Sequence, residues 1–148
     1  MKDIKLIPIS LNDIEILDLT EYKNLSVESR RQLVRDSENG ESRGEFFLFL
    51  LIKEGEEVIG VLNLCGHGRE SVSIAPEIIE KHRNKGYAKA SLTLAYEMAK
   101  KKGFKRVIAG IREENLISQR LHEKLGFKFI EDFVSKNGKA MKRYSKEL

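Results

Sequence analysis

"RNKGYAKAS", residues 83–91, sets a glycine and an alanine two positions apart among three basic side chains, at the point where a helix begins. From Tyr87 to Lys102 the residues are strong helix formers, and Ala88, Leu92, Ala95 and Ala99 form one stripe that Leu94 and Met98 widen. Three lysines fill the last turn, where cations favour the helix dipole, and Gly103-Phe104 has the form of a left-handed cap with its hydrophobic contact. The start of the helix is its chemically informative end. About four backbone N–H groups are unpaired there, at the positive end of the dipole. Gly86 has no side chain and Ala88 only a methyl, so an anion can approach those groups, and Arg83, Lys85 and Lys89 add charge around the mouth. The stretch reads as a site for a phosphate group carrying more than one negative charge. A glycine before a helix is also an ordinary turn, and the loop alone does not decide between the two. It is neither a P-loop nor the Gly-x-Gly-x-x-Gly of a dinucleotide fold.

On the N-terminal side, "ESVSI" alternates, with Val72 and Ile74 on one face and Ser71 and Ser73 on the other, which predicts a strand ending just before Ala75-Pro76. Before it, "EFFLFLLIKEGEEVIGVLNLCG" holds two apolar runs joined by the glycine-centred "KEGEE", the pattern of a β-hairpin. The first run is nearly continuous in apolar residues and should be covered on both faces. Residues 4 to 9 predict a short strand. A helix follows Ser10 with Leu11, Ile14 and Leu17 or Asp18 at helical spacing, and a second runs from about Ser26 through Val34. On the C-terminal side, "FKRVIAGI" is a strand. "NLISQRLHEKLGF" is a capped helix with Ile117, Leu121 and Leu125 spaced by four, and the Asn137-Gly138 turn closes a final hairpin. The order β, α, α, β, β, β, α, β, α, β, β describes an α/β fold. Its mixed central sheet has about six to seven strands flanked by about four helices.

With 148 residues, 41% of them apolar, the chain is sized for one domain spanning residues 1–148. The longest apolar run, Phe46 to Ile52, is seven residues, far from the roughly 18 of a membrane span, so no membrane association is expected. A single cysteine, Cys65, excludes an intramolecular disulfide, and three histidines make a metal site improbable; a reducing cytoplasm fits best. Residues 1–80 carry 9 basic and 16 acidic side chains, and residues 81–148 carry 18 and 7. Such asymmetry suits ligands of opposite sign on the two halves, although it also describes ordinary solvated surface.

Arg83-x-x-Gly86-x-Ala88 after a strand resembles the pyrophosphate-binding signature of the GNAT superfamily of N-acetyltransferases. The downstream pattern Asn115, Ser118, Lys124, Gly126 and Phe127 is similar to that family's second motif, and the likeness runs from Phe46 to the C-terminus. The resemblance implies a GNAT-like domain in which the backbone amides of Arg83, Asn84, Lys85, Gly86, Tyr87 and Ala88, with Lys89 beside them, hold the pyrophosphate of acetyl-CoA. It implies further that the strand at Ile74 splays from the next strand, and that main-chain groups near Ile74 pair with the pantetheine arm and polarise the thioester carbonyl. Asn115, Ser118 and His122, spaced three and four apart on one helix face, should look at the coenzyme.

There are two departures. The family commonly has a tyrosine that protonates the departing thiolate where this chain has His122. Histidine can act as that acid, can contact coenzyme without proton transfer, or can face solvent. "PEIIEKHR" also places six residues between Pro76 and Arg83 where two are usual, so Glu77 to His82 reads as an insertion beside the cleft. Where some relatives carry a glutamate base, this chain has Gly110. Glu70, in phase with Val72 and Ile74, is the best substitute, while Glu113 and Glu114 suit loop charges and Cys65 suits packing. The expected function is direct transfer from acetyl-CoA, with no metal, to a primary amine on a small molecule or protein, a cationic one being favoured by the acidic first half. The alternatives are a CoA-binding sensor without turnover and a nucleic-acid module on the basic run Lys81 to Arg106, which has no tryptophan and few aromatics. No nucleic-acid partner is expected, and the chain would act as a monomer or homodimer.

Overall fold

The two apolar runs around Gly55 become the centre of the molecule. In the computed structural model, which describes residues 3–148, β3 (Glu45–Glu54) and β4 (Glu57–His67) form an antiparallel hairpin. Apolar side chains alternate to both faces of β3, so each face carries a core: Leu50 and Ile52 on one side, Phe49 and Leu51 on the other. Ahead of the hairpin come β1 (Ile4–Pro8), a 3-10 helix Leu11–Leu19, a 3-10 turn Glu21–Asn24, α1 (Val27–Asn39) and β2 (Glu41–Ser42). After it come β5 (Ser71–Ile78), a 3-10 turn Glu80–His82, α2 (Tyr87–Lys101), β6 (Arg106–Arg112), α3 (Leu116–Lys124), β7 (Lys128–Val134) and β8 (Ala140–Glu147). The sheet runs β1-β3-β4-β5-β6-β8-β7 with β2 beside β3, eight strands among the described residues. The two-residue β2 is what the sequence count lacked.

Two layers of helix cover this sheet. Ala95 and Ala99 of α2 pack with Leu50, Ile52, Leu62, Leu64 and Val107 on one face. On the other, Leu17 and Val34 pack with Phe49, Leu51 and Val61. Phe104 closes α2 as its sequence promised, its N–H donating to the Ala99 carbonyl at 3.1 Å and its ring buried. Among the described residues no helix is long and apolar enough to cross a membrane.

Local expectations fail where tertiary contacts decide. The helix after Ser10 is 3-10, started by the Asp13 carboxylate accepting from the Ser10 N–H at 2.8 Å, and of its residues only Leu17 is buried. The next helix extends past Val34 to Asn39. The buried stripe of α2 is Tyr87, Ser91, Ala95 and Ala99, which leaves Ala88 exposed at the helix start. On α3 the expected core stripe is mostly outside: Ile117 is 84% exposed and Leu121 52%. The inward residue there is Gln119, whose amide donates to the carbonyls of Arg112 (3.1 Å) and Glu113 (2.9 Å).

The strand expected to stop before Ala75-Pro76 instead runs through Pro76 to Ile78. The Ile79 N–H donates to the Ile59 carbonyl at 2.9 Å, which makes the odd-numbered residues of β5 the ones hydrogen-bonded to β4. Pro76, at an even position, turns its missing donor away from β4. The ladder loses nothing, and the strand continues.

Candidate active site

Among the described residues β5 and β6 are the one parallel pair, and they pair only at Ser71–Arg106 and Val72–Val107. Beyond that, β5 stays with β4 as far as Ile78, while β6 stays with β8 from Arg106 to Arg112. A cleft of about 630 Å³ opens between them, lined by residues from Ser73 to Pro76, from Ile108 to Arg112, by Met141, and by Asn115, Ser118 and His122. The ladders also fix where main-chain groups point. Even-numbered residues of β5 turn toward the gap, so Ile74 presents both its N–H and its C=O there. On β6, bonds from the Leu148 N–H to the Lys105 carbonyl and from the Glu113 N–H to the Ala140 carbonyl assign odd residues to β8. Gly110 therefore turns its peptide groups to the gap opposite Ile74.

α3 supplies the third wall. Asn115 caps it, its Oδ1 accepting from the Ser118 N–H at 3.0 Å, while the two Gln119 bonds pin its first turn to the end of β6. This rotation brings Ser118 and His122 to the cleft, as their spacing predicts. The His122 Nδ1 lies 2.8 Å from the Ser118 carbonyl, and the ring stands edge-on to Phe127 with centroids 5.0 Å apart. A carbonyl can only accept, so the proton sits on Nδ1 and the neutral ring offers the Nε2 lone pair to its surroundings.

The loop into α2 has the backbone of an anion cradle. Gly86 is left-handed at φ 83° and Asn84 at φ 64°. α1 and α3 are capped by the Ser26 and Asn115 side chains, whereas α2 has no side-chain cap. The N–H of Ala90 makes the bond to the Gly86 carbonyl, so the N–H groups of Tyr87, Ala88 and Lys89 precede the helical ladder. Arg83, Lys85, Ala88 and Lys89 are exposed around it, and the Arg83 Nε donates to the Ile78 carbonyl at 2.8 Å. The Tyr87 ring is buried and its hydroxyl donates to Glu54 Oε1 at 2.6 Å, so Tyr87 can offer a ligand at the cradle only its main chain.

The presumed insertion from Glu77 to His82 resolves into ordinary parts: the end of β5, then a 3-10 turn. Because Pro76 lies inside the strand, counting from it overstates the loop. Glu77, overlooked in the sequence, now matters. With Asp18, Glu21 and Arg83 it lines a cavity of about 1040 Å³ between the 3-10 segments and the end of β5. Its Oε2 accepts from the Glu21 N–H at 2.9 Å, and its Oε1 is buried with no hydrogen-bond partner among the described residues. Burial pushes its carboxyl above the usual range, with the Glu21 charge adding, while the Glu21 N–H and Arg83 oppose. Continuing the Ser73, Ala75 alternation through the proline was the signal that would have found it.

Other sequence candidates lie elsewhere. Glu70 is exposed at the closed end of β5, 3.2 Å from Lys105, and does not line the cleft. Glu113 and Glu114 are exposed, Glu114 facing Arg112 at 4.0 Å. At Gly110 an added Cβ would come within 3.2 Å of the Phe133 ring, which leaves little room for a glutamate. Cys65 is half-buried, and burial raises its thiol pKa. Among the described residues no group of three or more His, Cys, Asp or Glu is placed to hold a metal ion.

A family model described as an acetyltransferase (GNAT) domain matches residues 6–128. No curated protein matches the chain. Among solved structures, a chimera of the spermidine N-acetyltransferase SpeG from Vibrio cholerae and hSSAT superposes with a TM-score of 0.82 at 16% identity, covering 99% of this chain and 96% of that one. The ribosomal protein α-N-acetyltransferase RimL, solved with coenzyme A, superposes with a TM-score of 0.78 at 17% identity over 98% of this chain and 94% of that one. An acetyltransferase from Salmonella typhimurium that modifies the N-terminal serine of a ribosomal protein gives 0.76 at 16% identity, covering 98% and 95%. At these identities the likeness is one of fold.

Proposed function

The chain belongs to the GNAT acetyltransferases, and from that premise we propose that residues 1–148 act as one domain transferring the acetyl group of acetyl-CoA directly to a primary amine, probed best with cationic acceptors. The observation that carries this reading is the splay of β5 from β6 beside an uncapped α2 start. It sets a row of main-chain donors and acceptors and an anion cradle along one side of the sheet. The residues assigned to the coenzyme are Ile74, with its outward peptide groups, the loop from Arg83 to Lys89, and Asn115 and Ser118 on α3. Acetyl-CoA supplies an activated thioester. The chain's own task is to orient it, to offer the Ile74 N–H to the developing oxyanion, and to manage protons.

His122 is assigned the proton work. Its Nδ1 bond to the Ser118 carbonyl serves both charge states: the neutral ring accepts at Nε2, and the imidazolium donates there to the departing thiolate. His122→Phe keeps the edge contact with Phe127. It should lower kcat by roughly tenfold to thirtyfold, below the hundredfold or more typical of general acid–base catalysis because water can share the work. CoA affinity measured by calorimetry should change less than about twofold; unchanged kcat would remove His122 from catalysis. The half-buried Cys65 thiol, held protonated by burial, suits direct transfer rather than an acetyl-enzyme route.

The acceptor side is assigned to the cavity that Glu77 lines, where a polyamine, an amino sugar or a protein amine would meet the carboxylates of Asp18, Glu21, Glu77 and Glu80, set among Lys23, Lys81 and Arg83. The spermidine and ribosomal-protein acetyltransferases of similar fold also act on amines. Glu77→Gln retains an acceptor for the Glu21 N–H and removes a desolvated charge. The raised carboxyl of Glu77 contributes stability that is complete below its unfolded pKa of about 4.3 and is lost as pH rises through the folded value. The glutamine variant should therefore match the wild type in acid and be at least as stable at neutral pH, while KM for a cationic acceptor rises about tenfold. Denaturant melts at both pH values and acceptor kinetics check the two halves; an unchanged acceptor KM would take Glu77 out of the acceptor site.

Thiol release from acetyl-CoA over a panel of polyamines, amino sugars and peptide N-termini tests the proposal. Turnover with at least one class is expected. CoA binding with no release above the amine-free rate across the panel would overturn it.

A further inference from the structure

At the tip of the β3–β4 hairpin, Glu54 and Glu57 stand directly opposite each other. Like charges at that position destabilise a hairpin unless each has a partner of its own. Here both find partners in the segment that leads into the cradle. Glu54 accepts the Tyr87 hydroxyl at 2.6 Å. Glu57 Oε2 lies 3.2 Å from His82 Nε2 and 3.6 Å from Lys81 Nζ. The His82 side chain is only 11% exposed, its Nε2 sits outside hydrogen-bond geometry with its neighbours among the described residues, and its ring lies edge-on to Tyr87 at 6.3 Å between centroids. The pairing between the strands shifts register between Ile52 and Lys53, just before the tip, and such irregularities re-aim the residues beyond them.

The segment held in this way needs holding. Asn84 and Gly86 adopt left-handed conformations, and α2 begins without a side-chain cap, so beyond the Arg83 bonds to the Ile78 and Glu80 carbonyls the loop has few local ties among the described residues. Tyr87 is the first residue of α2, and its hydroxyl is tied to the hairpin on the side away from the exposed mouth of the cradle. We propose that the acidic tip of the β3–β4 hairpin is a latch that presets the coenzyme loop, with Glu54 acting through Tyr87 and Glu57 through His82 as positioning residues for acetyl-CoA. The latch rests on the assignment of that loop to the coenzyme pyrophosphate.

Kinetics and calorimetry on the full chain test it. Tyr87→Phe leaves the ring in the core and removes only the hydroxyl. It should raise KM for acetyl-CoA and Kd for CoA about five- to tenfold, with kcat at saturating acetyl-CoA within about twofold. Glu54→Ala should do the same, and Glu54→Gln, which keeps an accepting oxygen, should recover most of the lost affinity. If Tyr87→Phe lowers the melting temperature while CoA Kd and acetyl-CoA KM stay put, the pair is a fold staple and the latch is refuted. If Glu54→Gln weakens CoA as much as Glu54→Ala, the hydrogen-bond basis is refuted. CoA binding that survives Gly86→Val would instead move the coenzyme off the loop altogether. That failure belongs to the underlying assignment, and it is distinguishable because it does not depend on Tyr87 or Glu54.

Discussion

Gly86→Val is expected to weaken CoA binding by a few hundredfold, the largest loss of ligand affinity that a single substitution should produce here. Two costs combine. At φ 83° a β-branched residue is strained by roughly 1–3 kcal/mol, so the loop relaxes and the N–H groups of Tyr87 and Ala88 lose their common aim. The valine methyls would then stand in the mouth assigned to the pyrophosphate. An added Cβ at this position meets no protein atom within 4 Å, so crowding inside the free protein is not part of the effect. The free variant should melt about 2–12 °C below the wild type and still fold, because strain of about 1–3 kcal/mol is worth about 2–4 °C per kcal/mol in a chain of this size. Gly86→Ala should fall between, with left-handed strain but less obstruction. Calorimetric titration of CoA into each variant gives the comparison, and normal affinity in the valine variant would sink the pyrophosphate assignment.

The same loop shows what was legible in the sequence and why. The helix of Tyr87 to Lys101 and its Phe104 cap depend on neighbours within a few residues, and both form as read. The splay of β5 from β6 came through the family resemblance and matches the pairing. What failed depended on contacts that periodicity does not encode, most of them distant in sequence. Pro76 reads as a stop, and only the ladder to β4 shows that its missing donor faces a gap. That error hid Glu77 among loop residues. Ile117 and Leu121 read as core by spacing, yet α3 is rotated by Gln119 reaching the carbonyls of Arg112 and Glu113, so polar satisfaction outweighs apolar burial in a helix of nine residues. Glu70 shares a face with Ile74, but phase along a strand gives no distance, and the pairing with β6 places it at the closed end. Arg30 gave no signal at all, since an arginine in a charged helix reads as solvated surface.

Arg30→Met is expected to destabilise the fold by about 3–5 kcal/mol, because three part-buried carbonyls each lose a bond to a charged donor at roughly 1–1.5 kcal/mol apiece. The Arg30 side chain is 9% exposed and spends its donors on three carbonyls: Leu25 at 3.2 Å, Ile14 at 3.0 Å and Lys23 at 2.9 Å. Its ion pair with Asp18 at 2.7 Å adds less, because that carboxylate is 66% exposed and water can replace the partner. Methionine keeps much of the stem volume, so the loss isolates the guanidinium. The three carbonyls belong to the 3-10 segments and to Leu25 just after them. Those segments supply Asp18, Thr20, Glu21 and Lys23 to the cavity that Glu77 lines. Loosening them should therefore raise KM for the acceptor amine more than KM for acetyl-CoA, whose assigned groups lie on β5, the α2 start and α3. Arg30→Lys, with one ammonium in place of a fork, should recover only part of both losses. Denaturant unfolding and two-substrate kinetics on the three proteins make the test. A stability loss under about 1 kcal/mol would show that water satisfies those carbonyls, and equal rises in both KM values would detach the Arg30 clamp from the acceptor wall.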